Sequence, residues 1–202
     1  MQLIPQWLAE RVGIHLQLSL SNKTENEPTL DNWHEDFIVH LAQILRPNVY
    51  VELGLYQCAL FNRIFPFATK LIGVDTVATA GTFMKKGGGK TEFFHGTTND
   101  LAVALKKRNI TIDLLFIDAN HSKESVREDF ENFFPLVNEQ GVILFHDAYP
   151  KNSSFTAAGY CGDGYKAIEE LSRQTDMYEI VTIPRHPGVA ICRKRTKQLP
   201  WQ

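Results

Sequence analysis

The two stretches Asp113-Leu114-Leu115-Phe116-Ile117-Asp118 and Gly141-Val142-Ile143-Leu144-Phe145-His146-Asp147 decide the fold. Each holds four apolar residues in succession and so has no polar face. That suits a parallel strand covered on both sides better than a half-exposed antiparallel one. Working outward, strands are expected over Val49–Leu53, Leu71–Asp75, Glu92–His95, Ile112–Asp118 and Val142–Asp147. Amphipathic stretches near Ala59–Pro66, Ala78–Lys85, Asp100–Lys107 and Lys123–Phe134 alternate with them. This alternation predicts an α/β architecture with an open, doubly wound, mostly parallel sheet.

After Asp147 the chain changes style. Ala148–Gly164 is rich in Gly, Ser and Tyr, a helix is expected over Tyr165–Arg173, and strands over Glu179–Ile183 and Val189–Arg193. The five residues Pro184-Arg185-His186-Pro187-Gly188 are too few for a crossover, so the last pair must form an antiparallel hairpin. Upstream, Phe37, Ile38, Leu41, Ile44 and Leu45 recur at helical spacing from Asn32 until Pro47 stops them. Residues 1–31 read as an appendage, with a short helix over Pro5–Val12 and a polar Ser21–Pro28. Residues 32–202 read as one domain.

Composition excludes several partners. The net charge of −2 gives no electrostatic case for nucleic acid or an anionic membrane. The basic tail of Arg193, Lys194, Arg195 and Lys197 reads as a solvated end. No apolar run approaches the roughly 20 residues of a membrane span, and Met1-Gln2-Leu3-Ile4-Pro5 lacks the pattern of a signal peptide. Cys58, Cys161 and Cys192 show no paired spacing, so a reducing cytoplasmic setting is expected.

In an open α/β sheet, ligands bind at the carboxyl ends of the strands, where strand order reverses. Gly54 would let the backbone turn tightly beside a ligand. A carboxylate at Asp75 could accept hydrogen bonds from both hydroxyls of a ribose. Glu52, near the end of the first strand, has no packing reason to be there.

Val51-Glu52-Leu53-Gly54 followed by Gly73-Val74-Asp75 resembles the opening motifs of class I methyltransferases. The stretch from Asp113 to Asp118, with Asn120-His121 and Gly141 to Asp147, resembles a small O-methyltransferase family. That family includes macrocin-type sugar O-methyltransferases and cephalosporin-hydroxylase-like proteins. The resemblance implies a Rossmann-like seven-stranded sheet of order 3-2-1-4-5-7-6. It also implies S-adenosylmethionine as cofactor, bound by Glu52, Gly54, Tyr56, Asp75, Thr97 and Asp118. Cys58 stands where the family usually has a second glycine. The expected reaction is methyl transfer to a hydroxyl of a small molecule (a sugar, a phenol or a natural product), assisted by a divalent metal such as Mg or Mn.

The metal ligands implied are Asp118, His146 and Asp147, and the implied general base is His121. His146 replaces a family acid, which would shift preference toward softer ions. Near-neutral imidazole suits the base role. Asp118 could instead cap the next helix. Ala148–Gly164, with Tyr149, Phe155 and Tyr160, has the composition of a lid, and Tyr56, Phe83 and Met84 could line an acceptor pocket. Three further readings stay open: a hydroxylase-like iron enzyme, a dinucleotide-binding enzyme, and a methyltransferase-like module with weak or no cofactor binding. The dinucleotide reading is disfavoured, because the first loop has no G-x-G-x-x-G run. The acceptor is not written in the sequence, and a homo-oligomer is compatible with it.

Overall fold

The structure is a computed structural model, described here over residues 32–195 except Ala158 and Thr175. The appendage over residues 1–31, with its expected helix, and Lys197 of the basic tail lie outside the described residues. The chain runs α1 (Trp33–Leu45), β1 (Val49–Leu53), α2 (Ala59–Ile64), β2 (Lys70–Asp75), β3 (Thr91–His95), α3 (Thr98–Lys107) and β4 (Ile112–Ile117). It continues with α4 (Lys123–Phe133), β5 (Val137–Phe145), α5 (Tyr165–Leu171), β6 (Tyr178–Ile183) and β7 (Val189–Lys194).

The seven strands form one sheet of order β3-β2-β1-β4-β5-β7-β6. β1 to β5 pair in parallel, and β7 runs antiparallel to both β5 and β6. The successive apolar residues of the central strands divide between two cores, as strand alternation requires. Tyr50, Leu114, Phe116 and Leu144 face Ile38, Ala42, Phe61 and Ile64 of α1 and α2. Val51, Leu53, Leu115, Ile117, Ile143 and Phe145 face Leu101 and Leu105 of α3, Phe130 of α4 and Ile168 of α5.

Three expectations need correction. β5 begins at Val137, five residues before the apolar run. Its register on β4 shifts between Ile112 and Leu114, and that irregularity absorbs the polar Asn138-Glu139-Gln140. Ala78–Phe83 forms only a 3-10 segment, since Gly81 and two threonines give it weak helical preference. In α1, Ile38 and Ala42 are buried four residues apart, whereas Ile44 is 77% exposed. Ile44 lies two residues beyond Ala42, which places it on the opposite side of the helix.

Candidate active site

The order reverses between β1 and β4, and two adjoining clefts open at the carboxyl ends of the strands there. The larger, about 1070 Å³, runs past Asp75, Thr97, Asn99, Ser125 and Asp129. The smaller, about 710 Å³, is walled by His34, Glu52, Tyr56, Phe83, Phe116 and His146. Gly54, Asp75, Ala119 and His121 line both. Met84, expected beside Phe83, lines neither cleft and packs against the core on the α1 and α2 side of the sheet.

The seam between the clefts is built by backbone geometry. Gly54 has φ +84°, and its N–H donates to the Val74 carbonyl at 3.0 Å. A Cβ there would stand 2.2 Å from the Asp118 carbonyl oxygen, so the loop after β1 can touch the end of β4 only as glycine. Asp75 holds the same loop. Its Oδ2 accepts from the N–H groups of Leu55 and Tyr56, both at 3.0 Å, and its Oδ1 from Val77 at 2.8 Å. Read in the sequence as a ligand carboxylate, Asp75 is first of all the clamp that shapes the glycine loop.

Cys58 has φ +57°, in the left-handed region that favours glycine. Its buried thiol donates to the Ala80 carbonyl at 3.3 Å and lines neither cleft. Tyr56 also has positive φ, and its side chain is 81% exposed at the rim of the smaller cleft. Thr97 is committed to α3: its hydroxyl accepts from Asp100 N–H at 3.1 Å and donates to Asp100 Oδ2 at 2.7 Å, a capping box.

The four-residue cluster expected at the ends of β4 and β5 is assembled as expected. His121 Nδ1 lies 3.0 Å from Asp147 Oδ2, and its Nε2 lies 3.5 Å from Asp118 Oδ1. His146 Nδ1 lies 3.0 Å from Asp118 Oδ1 and 3.3 Å from Asp147 Oδ1. It is attracted to both carboxylates but is off the line of a hydrogen bond, and both its buried nitrogens lack hydrogen-bond partners. Asp118, His121 and Asp147 each bring one ligand atom within 4.8 Å of the others. His121 thus joins the group, while His146, the histidine the sequence suggested, lies 3.0 Å and 3.3 Å from the same two aspartates. Asp118 does not cap α4, since that role falls to Ser122, which accepts from Ser125 N–H.

Charge follows from this packing. Hydrogen bonds to Asp118 and then Asp147 hold the His121 imidazole pKa up, to about 11. Burial works against a charge on His146, yet the two carboxylates outweigh it and push its pKa up to about 10. Burial likewise opposes the Asp147 charge, but His121 and His146 overcome it and hold its pKa far below the usual carboxylate range.

Three features here were not legible in the sequence. The Tyr160 carbonyl accepts from His121 Nδ1 at 2.6 Å, so the segment after Ala148 grips the histidine directly. Gly164 N–H donates to the His121 carbonyl at 2.8 Å, and Gly162, at φ +59°, leaves no room for a Cβ against it. His34 of α1 packs its ring 4.7 Å from His146. Burial, and then the His146 charge, lower its pKa. A histidine in the first turn of a helix carries no sequence signal for such a meeting.

Glu52 is 3% exposed and accepts from the Tyr50 hydroxyl at 2.5 Å. Burial raises its pKa to about 8, with the Asp118 and Glu35 carboxylates adding to the effect and the Tyr50 bond opposing it. The folded-state value lies above the usual 4.5. Its contribution to stability is therefore complete below that pH and is lost as pH rises through 8. Glu52→Gln cannot ionise. Its thermal midpoint is expected to match the parent's within a few degrees at pH 5 and to exceed it at pH 9, read by a melting series at pH 5, 7 and 9. An equal difference at all three values would contradict this account of Glu52.

The strand order with its terminal antiparallel hairpin, the glycine seam and the strand-end acids define the fold of the S-adenosylmethionine-dependent class I methyltransferases. The chain belongs to the family described as Methyltransferase domain, which matches residues 36–148. Among solved structures it is similar to an O-methyltransferase from Bacillus cereus in complex with S-adenosylhomocysteine. That match has a TM-score of 0.69 and 13% identity, and covers 96% of this chain and 93% of that one. It is also similar to the S-adenosylhomocysteine-bound Podospora anserina methyltransferase PaMTH1 (TM-score 0.66, 14% identity, 97% of this chain and 99% of that one). A third is the O-methyltransferase TomG from Streptomyces achromogenes, involved in tomaymycin synthesis and solved with S-adenosylmethionine (TM-score 0.60, 14% identity, 96% and 92%). A curated relative, the uncharacterized protein y4gI of Sinorhizobium fredii, is 38% identical over 45 residues, which are 22% of this chain. The match spans only 5% of that relative's length. No helix among the described residues is long and apolar enough to cross a membrane.

Proposed function

We propose that this chain transfers the methyl group of S-adenosylmethionine to a hydroxyl of a small molecule, a sugar, phenol or natural-product scaffold, with the help of a divalent cation. The observation that carries this reading is the position of His121 and Gly54 on the seam shared by both clefts, with Asp118 and Asp147 beside the histidine. A cofactor lying in the larger cleft, its ribose near Asp75, would present its sulfonium at that seam. An acceptor in the smaller cleft would then meet it from the other side. Methyl transfer asks mainly for such alignment and for exclusion of water.

Tyr160 O and Asp147 Oδ2 are both acceptors, so Nδ1 of His121 carries a hydrogen. Nε2, 3.5 Å from Asp118 Oδ1, is then the nitrogen that would take the acceptor's proton once a cation engages that carboxylate. Two carboxylates and an imidazole within 4.8 Å fit a divalent ion, as do the unpartnered nitrogens of His146 beside them. Asp118 and Asp147, with His146 beside them, would hold it and leave Nε2 of His121 for the proton, and when bound it supplies Lewis acidity that lowers the pKa of the acceptor hydroxyl. The carboxylates that charge His121 in its absence are then shared, which loosens their hold on the imidazole proton. Cys58 does not oppose cofactor binding, because its thiol points away from both clefts. Three free, buried cysteines support a reducing, cytoplasmic setting.

Calorimetry with S-adenosylmethionine and S-adenosylhomocysteine, with and without Mg²⁺ or Mn²⁺, tests the reading. Dissociation constants in the micromolar range, about −8 kcal/mol, are expected for both. Methyl transfer from labelled cofactor to a panel of sugars and phenols should be lost on chelation. No binding under any ion condition would overturn the cofactor assignment, and turnover indifferent to chelators would overturn the metal assignment alone.

A further inference from the structure

His34 is the second residue of α1, and the start of that helix is clamped from two sides. Trp33 Nε1 donates to the His186 carbonyl at 2.9 Å, in the connection between β6 and β7. Glu35 and Asp36 both pair with the Arg63 guanidinium of α2. These clamps hold the His34 imidazole against His146, with ring centroids 4.7 Å apart and planes inclined at 54°. Phe116 also meets His146 edge-on, at 5.9 Å.

Among the described residues, four buried side-chain nitrogens have no hydrogen-bond partner, and three of them belong to this pair: Nδ1 of His34 and both nitrogens of His146. A buried polar atom left unpaired costs about 1–3 kcal/mol, so such a concentration marks a place for something that bonds to all of them. The charged groups beside the pair are carboxylates. His146 Nδ1 lies 3.0 Å from Asp118 Oδ1 and 3.3 Å from Asp147 Oδ1. His34, His146 and Asp118 all line the smaller cleft, which gives an ion a path to them. A single hydroxyl could serve one of these nitrogens. Three on adjacent rings, next to two carboxylates, match a cation that takes several ligands at once.

We propose that His34 is a ligand to the cation held by Asp118, Asp147 and His146, and that the two imidazoles fit the site to a borderline transition ion such as Co²⁺ or Zn²⁺ in preference to Mg²⁺. The inference rests on the reading that a divalent cation sits at the ends of β4 and β5, and adds to it a ligand from α1. Imidazole suits the later transition ions, whereas Mg²⁺ takes oxygen ligands and gives up its water reluctantly. Bound through His34, the ion also fixes the α1 wall of the cleft in which the acceptor would sit.

Calorimetry of the metal-free full chain with Co²⁺ and with Mg²⁺, beside the visible absorption of the Co²⁺ form, tests this without cofactor or acceptor. His34→Ala is expected to weaken Co²⁺ at least about ten-fold, since even outer-shell partners of a metal site are worth about 10–100-fold. It should leave any Mg²⁺ binding within about three-fold of the parent. His34→Phe keeps a ring against His146 and removes only the nitrogens. As a ligand, His34 requires both variants to lose Co²⁺ affinity, with the absorption bands shifted. If it acts purely through packing, His34→Phe should bind Co²⁺ as the parent does. That result overturns the proposal, as does unchanged Co²⁺ affinity in both variants or equal weakening of Co²⁺ and Mg²⁺; each leaves the cation at Asp118 and Asp147 standing. Failure of the parent to bind either ion would overturn the metal reading itself and this inference with it.

Discussion

Asp75→Ala is expected to lower affinity for S-adenosylhomocysteine at least about a hundred-fold. Hydrogen bonds to a charged acceptor are worth about 1.5–3 kcal/mol each, and each 1.4 kcal/mol is ten-fold. Asp75 accepts three from backbone N–H groups at Leu55, Tyr56 and Val77. Removing it frees the loop that carries Gly54 as well as any contact to ribose. The loss should therefore exceed that of a single ligand contact, and the loop should become more accessible to proteolysis. Asp75→Asn keeps one oxygen but sets an amide against backbone donors, so an intermediate affinity is expected. Calorimetry with a limited-digestion control reads both. Binding within about three-fold of the parent in Asp75→Ala would show that neither the loop nor the ribose depends on this carboxylate.

The second large effect falls on turnover. His121→Ala is expected to reduce methyl transfer by about 10²–10⁴-fold, the usual contribution of a positioned general base. Affinity for S-adenosylhomocysteine should change little, since the ring's partners are Asp118, Asp147 and the Tyr160 carbonyl. Asp147→Asn should act in the same direction by weakening the acceptor that orients Nδ1. Single-turnover rates at saturating cofactor, compared with binding constants, separate the two effects. A variant that keeps more than a tenth of parent turnover would remove His121 from the chemistry.

Much of this site was visible in the chain before folding. Gly54, Asp75, Asp118 and Asp147 each sit at the end of an apolar strand, and strand ends on one side of a parallel sheet must lie together. That logic also brought His121 and His146 to the same place. It did not show that each histidine would approach both aspartates, because that depends on ring orientations. These are set by the Tyr160 carbonyl on one side and His34 on the other. Nor could it show that Asp129, in sequence one more acid on a polar helix, is buried in the wall of the larger cleft. Its burial follows from α4 packing on the start of α3, a contact between residues about thirty positions apart.

The sequence by itself determined the sheet, its parallel character, its closing hairpin and the edge at which the two clefts open. Those features rest on hydrophobic periodicity and loop length, which are local properties of the chain. Tertiary structure alone decided that Asp75 Oδ2 clamps the glycine loop and that burial raises the pKa of Glu52 in the wall of the smaller cleft. It also decided that His121 is gripped by a segment some forty residues downstream. Hydrogen-bond partners and desolvation arise only when distant segments meet, and no spacing rule along the chain encodes them.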